Sequence, residues 1–123
     1  MARILVIDDE PDICFILKTF LTRDGHTVDT AENGKLGIQL TEVNDYDLVV
    51  TDMIMPEMDG LEVIAALKAR PQAPRIIALT GGSERLDRSL LLSTAKAMRA
   101  DKVIAKPIDM KVLRAAVDEV LAG

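Results

Sequence analysis

At 123 residues the chain has the length of one domain and enough material to bury a core without disulfides or a structural metal. Its composition, 49% apolar and 28% charged, excludes a disordered or fibrous chain, and a net charge of −5 with scattered Lys and Arg argues against a nucleic-acid-binding face, which needs clustered cations. No apolar run approaches the ~18 residues that span a bilayer, and Met1-Ala2-Arg3 leads straight into strand-like sequence without a cleavage site, so a cytoplasmic protein without membrane association is expected.

The first apolar run predicts a strand over 4–8. Pro11 suits the first turn of a helix built on Ile13, Ile16, Leu17, Phe20 and Leu21, which stops near Gly25, where a left-handed residue is accepted easily. Cys14, the only cysteine, lies among Ile13, Phe15 and Ile16 and reads as an inert thiol packed on that helix. His26, a surface histidine, precedes a strand over 27–31; Asn33-Gly34 then opens a second helix using Leu36, Leu40 and Val43. A third strand covers 47–52, and Asp59 caps a helix on Leu61, Ile64, Ala65 and Leu67. A strand over 75–80, a helix over roughly 84–98 and a strand over 102–105 follow. Asp109 caps the last helix, whose stripe is Val112, Leu113, Ala116, Val117 and Val120.

Runs such as Leu48-Val49-Val50 and Ile76-Ile77-Ala78-Leu79 are apolar at consecutive positions, so both sheet faces must be covered. Five βα units of this kind form an α/β domain, a doubly wound parallel sheet, and such sheets collect ligands at the carboxyl ends of their strands. That edge brings together Asp8 and Asp9 after the first strand, Asp52 at the end of the third, Thr80 at the end of the fourth and Lys106 after the fifth. Each has a plain alternative: an aspartate can begin a loop or end a strand, a threonine can bond backbone, a lysine can be solvated. Gathered, three carboxylates repel one another and resist burial. A hard divalent cation held by oxygen ligands, such as Mg²⁺, resolves the conflict.

The segments Val6-Ile7-Asp8-Asp9-Glu10-Pro11, Asp52-Met53-Ile54-Met55-Pro56-Glu57-Met58-Asp59-Gly60, Thr80-Gly81 and Ala105-Lys106-Pro107 resemble, in order and over essentially the whole chain, the signature of the response-regulator receiver family. The resemblance implies a flavodoxin-like (βα)5 fold with strand order 2-1-3-4-5, spanning residues 1–123 with no effector domain. It implies that Asp52 takes a phosphoryl group from the phosphohistidine of a histidine kinase or histidine phosphotransfer protein. Asp9 and Asp52 would bind Mg²⁺ directly, Asp8 through a water, and Ile54 through its backbone carbonyl, with Mn²⁺ able to substitute. Lys106 would supply positive charge to the transferring group and Thr80 would act as the switch, with Gly81 leaving room for the phosphoryl group. The Lys106–Pro107 bond would be cis, a geometry that only X–Pro bonds adopt at modest cost. Such a domain is a signalling phosphoacceptor that assists its own phosphorylation and slow dephosphorylation rather than an enzyme. Its output would pass through the surface of the fourth helix, fifth strand and fifth helix to a downstream protein, with the chain a monomer or a weak homodimer through that face.

The chain departs from the family pattern at three places. Val103 stands where a Tyr or Phe is usual, so the aromatic half of the switch is missing. The stretch from Thr80 to Lys106 is about one helical turn longer than usual and rich in apolar residues (Leu86, Leu90, Leu91, Leu92, Met98), which suits either core packing or a partner-binding patch. Ile108 replaces a common Phe, a change of packing. Ile54, aliphatic two residues beyond Asp52, should slow hydrolysis of the acyl phosphate. A phosphatase of the haloacid-dehalogenase type needs a second acid where Ile54 stands, and a phosphate-free adaptor usually loses an acid or the lysine, all of which are kept here.

Overall fold

Residues 2–53, 55, 58–80 and 100–123 are described by a computed structural model of the chain. Five strands, β1 (Arg3–Ile7), β2 (Thr27–Ala31), β3 (Leu48–Asp52), β4 (Arg75–Thr80) and β5 (Lys102–Ala105), pair in parallel in the order β2-β1-β3-β4-β5. Around them lie α1 (Pro11–Arg23), α2 (Gly34–Val43), α3 (Gly60–Lys68) and a C-terminal helix (Met110–Ala122). This is the expected doubly wound, flavodoxin-like arrangement. The helix expected over 84–98, with Leu86, Leu90, Leu91, Leu92 and Met98, lies outside the described residues. No described helix is long and apolar enough to cross a membrane.

Consecutive apolar residues on the strands serve two cores, because side chains alternate across a sheet. Ile4, Val6, Val50, Ile77 and Leu79 face α1 and the C-terminal helix, where Leu17, Leu21, Leu113 and Val117 meet them. Leu5, Ile7, Val49, Ile76 and Ala78 face the other way, onto Val63, Ile64 and Leu67 of α3. Val103 packs against this second core and Ile108 against the first, the latter being the packing role expected of it.

The helix starts follow the expected chemistry. Asn33 accepts from the Leu36 amide, Asp59 from Glu62 and Asp109 from Lys111. Gly25, just past α1, takes the left-handed conformation at φ 95°.

The buried faces differ in part from the sequence pattern. In α2 the expected Leu36 and Val43 point outward, Val43 being 78% exposed, and Gly34 and Gly37 are the buried residues. The helix lies too close to its neighbours for a side chain there: a Cβ on Gly37 would overlap Ile7 Cδ1 of the sheet, and one on Gly34 would sit 2.7 Å from the carbonyl oxygen of Met58, just ahead of α3. In α1 the expected Ile16 is 46% exposed while Cys14 is buried as read, in α3 Val63 rather than Ala65 is buried, and in the C-terminal helix Val112 is half exposed.

Candidate functional site

The parallel ladder runs one bond past the strands and so fixes the residues at their carboxyl ends. The Asp8 amide donates to the Ala31 carbonyl (3.1 Å), the Met53 amide to Leu79 (3.0 Å) and the Lys106 amide to Thr80 (2.6 Å). α3 is pinned against the end of β3: the Gly60 amide donates to the Met53 carbonyl (3.0 Å), and a Cβ at Gly60 would lie 2.6 Å from Met53 Cα and overlap the Asp52 carbonyl oxygen. The Lys106–Pro107 bond is cis, as expected.

Asp8, Asp9, Asp52 and Lys106, expected at this edge, are brought together, and Thr80 ends the neighbouring strand β4. Asp8, Asp52 and Thr80 are buried, and the Lys106 side chain is only 10% exposed. The Lys106 ammonium donates to Asp8 Oδ2 at 3.0 Å and to Asp52 Oδ2 at 3.1 Å, spanning two strands that are neighbours in the sheet. Asp9 is exposed at the rim, and one oxygen from each of Asp8, Asp9, Glu10 and Asp52 lies within 4.8 Å of the others. The Thr80 hydroxyl is buried with no hydrogen-bond partner among the described residues, a costly condition for a polar group. Ile54 and Gly81, the remaining expected site residues, lie outside the described residues; Pro107 is exposed beside Lys106.

Burial raises the Asp8 pKa, only partly offset by the Glu10 amide (2.9 Å to Oδ1) and Lys106. For Lys106 burial works against the charge, yet Asp52 and Asp8 outweigh it and hold the ammonium pKa above the ordinary lysine value. The cation is therefore permanent at neutral pH. Directly beneath, the Cys14 thiol donates to the Asp8 carbonyl oxygen (3.3 Å), and burial followed by the Asp8 charge pushes its pKa up to about 11, which fits the inert thiol expected.

Sequence reasoning assigned no role to Glu10. Its carboxylate lies 3.4 Å from the Lys106 ammonium and belongs to the same acid group. Three successive acids after β1 were the available signal. His26 is remote from this edge, accepting from the Ala2 amide at 3.3 Å.

Buried acids, an ammonium and an unpartnered hydroxyl at the carboxyl edge of a 2-1-3-4-5 sheet agree with the comparisons to known proteins. Residues 4–118 match the family model described as the response regulator receiver domain. The transcriptional regulatory protein TcrA of Mycobacterium tuberculosis is 36% identical over 112 residues, 91% of this chain and 43% of that protein. The alkaline phosphatase synthesis transcriptional regulatory protein PhoP of Bacillus subtilis is 34% identical over 119 residues, 97% of this chain and 48% of its own length. The chain thus spans about half the length of these relatives. Among solved structures, the response regulator TrrA of Thermotoga maritima, in complex with Mg(2+)-BeF, is 38% identical with a TM-score of 0.83, covering 98% of this chain and 99% of that one. The signal receiver domain of a histidine kinase from Syntrophus aciditrophicus gives a TM-score of 0.89 at 29% identity, over 100% and 92% of the two chains. Sheet order, acidic edge and sequence likeness converge, and the chain belongs to the response-regulator receiver family.

Proposed function

We propose that the chain accepts a phosphoryl group on Asp52 from the phosphohistidine of a histidine kinase or histidine phosphotransfer protein and passes the signal on by a change of shape. The observation that carries this reading is the single ammonium of Lys106 shared by two buried carboxylates, Asp8 and Asp52, at the edge where such sheets bind ligands.

Transfer forms a bond between an Asp52 carboxylate oxygen and phosphorus as the donor's P–N bond breaks, its electron pair leaving with the imidazole nitrogen. The transition state is loose and carries its charge on the equatorial oxygens, so positioning and positive charge do most of the work. Lys106, 3.1 Å from Asp52 and firmly protonated, supplies that charge. The burial of Asp52 limits water around the carboxylate. The unpartnered Thr80 hydroxyl is a ready donor for a phosphoryl oxygen, and engaging it would draw on the end of β4, which bonds to β5 through Lys106. With Val103 in place of the usual ring, output rests on Thr80 and the loop that follows.

The grouped carboxylate oxygens fit a hard divalent cation. Asp9 and Asp52 would hold Mg²⁺ directly, Asp8 through a water and Ile54 by its backbone carbonyl, with Mn²⁺ as a substitute; when bound, the ion neutralises charge on the phosphoryl oxygens. This role makes the chain a phosphoacceptor that assists its own modification, with a downstream protein as the recipient of the signal.

Incubation with acetyl phosphate and Mg²⁺ followed by intact mass tests the reading. The chain should gain the mass of one phosphoryl group and Asp52→Asn should gain none. An unmodified chain, or equal labelling of the variant, would overturn it.

A further inference from the structure

Three of the four described helices begin with a side-chain cap, from Asn33, Asp59 and Asp109. At the N-cap of α1 stands Glu10, whose side chain makes no cap bond and instead lies 3.4 Å from the Lys106 ammonium. Its own amide donates to Asp8 Oδ1, its carbonyl accepts from the Ile13 and Cys14 amides, and Pro11 at the first helical position has no N–H to be capped. The Glu10 side chain is 61% exposed while that of Lys106 is 10% exposed, so Glu10 reaches Lys106 from the solvent side, and Asp8 and Asp52 hold it from within.

An incoming phosphoryl group must approach Lys106 from solvent. We propose that Glu10 is a positioning residue for phosphoryl transfer, a third carboxylate that shares the Lys106 ammonium and that an anionic donor must displace. This rests on the reading of Asp52 as phosphoacceptor. Because the pair is exposed on the Glu10 side, its strength is that of a surface ion pair, equivalent to roughly a two- to fivefold change in an equilibrium. The competition acts on donor binding and leaves the chemical step on Asp52 alone, which separates it from a structural role in α1.

The test measures the rate of phosphoryl gain against acetyl phosphate concentration at saturating Mg²⁺ for the whole chain, Glu10→Gln, and Asp12→Asn, an equal charge change two residues along α1. The donor KM should fall roughly two- to fivefold in Glu10→Gln with the maximal rate kept, and stay unchanged in Asp12→Asn. In EDTA, without donor, the side-chain Cε and Nζ resonances of Lys106 should move in Glu10→Gln and not in Asp12→Asn. An unchanged KM, a fall in both variants alike, or an unmoved Lys106 signal would overturn the role of Glu10 while leaving phosphorylation of Asp52 intact. Failure of the unaltered chain to take up phosphoryl would overturn the underlying reading instead.

Discussion

Thr80 illustrates how a single residue can be unfavourable at rest and useful in function. Its hydroxyl is buried without a partner among the described residues, and such a group costs about 1–3 kcal/mol in lost hydration. Replacing it with the similarly shaped Val removes that cost. Thr80→Val should therefore stabilise the unphosphorylated chain by about 1–2 kcal/mol in urea denaturation, keep phosphoryl uptake by mass, and lose the accompanying amide shifts in β4 and β5. A urea midpoint at or below that of the unaltered chain would show that the hydroxyl is satisfied. Tyr46 is the opposite case, a buried phenol donating to Asp29 Oδ2 at 2.7 Å. Burial, then the Asp29 charge, raises its pKa from 10.0 to about 12. Folding thus favours the neutral phenol: its contribution is complete below pH 10 and fades as pH climbs towards 12. As the only tyrosine in a chain without tryptophan, it can be followed by ultraviolet absorbance, and the native midpoint should lie near 12. Tyr46→Phe should cost about 1–2 kcal/mol and remove this alkaline loss of stability.

Among the elements, α3 has the closest link to the site, through a residue with no side chain. A methyl on Gly60 would meet the backbone of Asp52 and Met53, atoms that cannot move without shifting the end of β3. Gly60→Ala should destabilise the fold by about 1–3 kcal/mol and slow phosphoryl uptake, whereas Ala69→Gly, at the other end of the helix, should leave uptake unchanged. Equal uptake rates for Gly60→Ala and the unaltered chain would count against this coupling. The same glycines explain where sequence reasoning stops. β2, β4 and β5 were legible to the residue, β4 and β5 from their aliphatic runs and β2 from the β-branched Thr27, Val28 and Thr30 after Gly25, and Asn33, Asp59 and Asp109 marked helix starts by their chemistry. The inward face of α2 was not legible: hydrophobicity selects Leu36 and Val43, but close approach to Ile7 and Met58 requires Gly34 and Gly37. At the site, Asp8, Asp9, Asp52, Thr80 and Lys106 could be collected because they end strands or directly follow them. Glu10 escaped because only the fold brings it within 3.4 Å of a residue 96 positions away.

For the whole molecule, the acidic edge sets a conflict between stability and function. Among the described residues Asp8, Asp9, Glu10 and Asp52 group together, three of them paired with the Lys106 ammonium, and Asp8 and Asp52 are almost completely withdrawn from water. Among the described residues one ammonium faces these grouped acids, and like charges held this close favour the binding of a cation. A cation that binds only the folded state stabilises it by about 2.7 kcal/mol at a hundredfold excess over its Kd. The urea midpoint should accordingly rise on adding Mg²⁺, and by far less on adding an equal ionic strength of NaCl, which screens charge without being coordinated. Asp52→Asn separates repulsion from binding. It removes one buried carboxylate while Lys106 keeps Asp8 as a partner, so in EDTA the variant should be more stable than the unaltered chain by about 1–2 kcal/mol. Its further gain from Mg²⁺ should shrink, because a ligand has gone. Were the unaltered chain to unfold at the same urea concentration in EDTA and in Mg²⁺, the acidic edge would hold no divalent ion, and its negative charge would need another explanation.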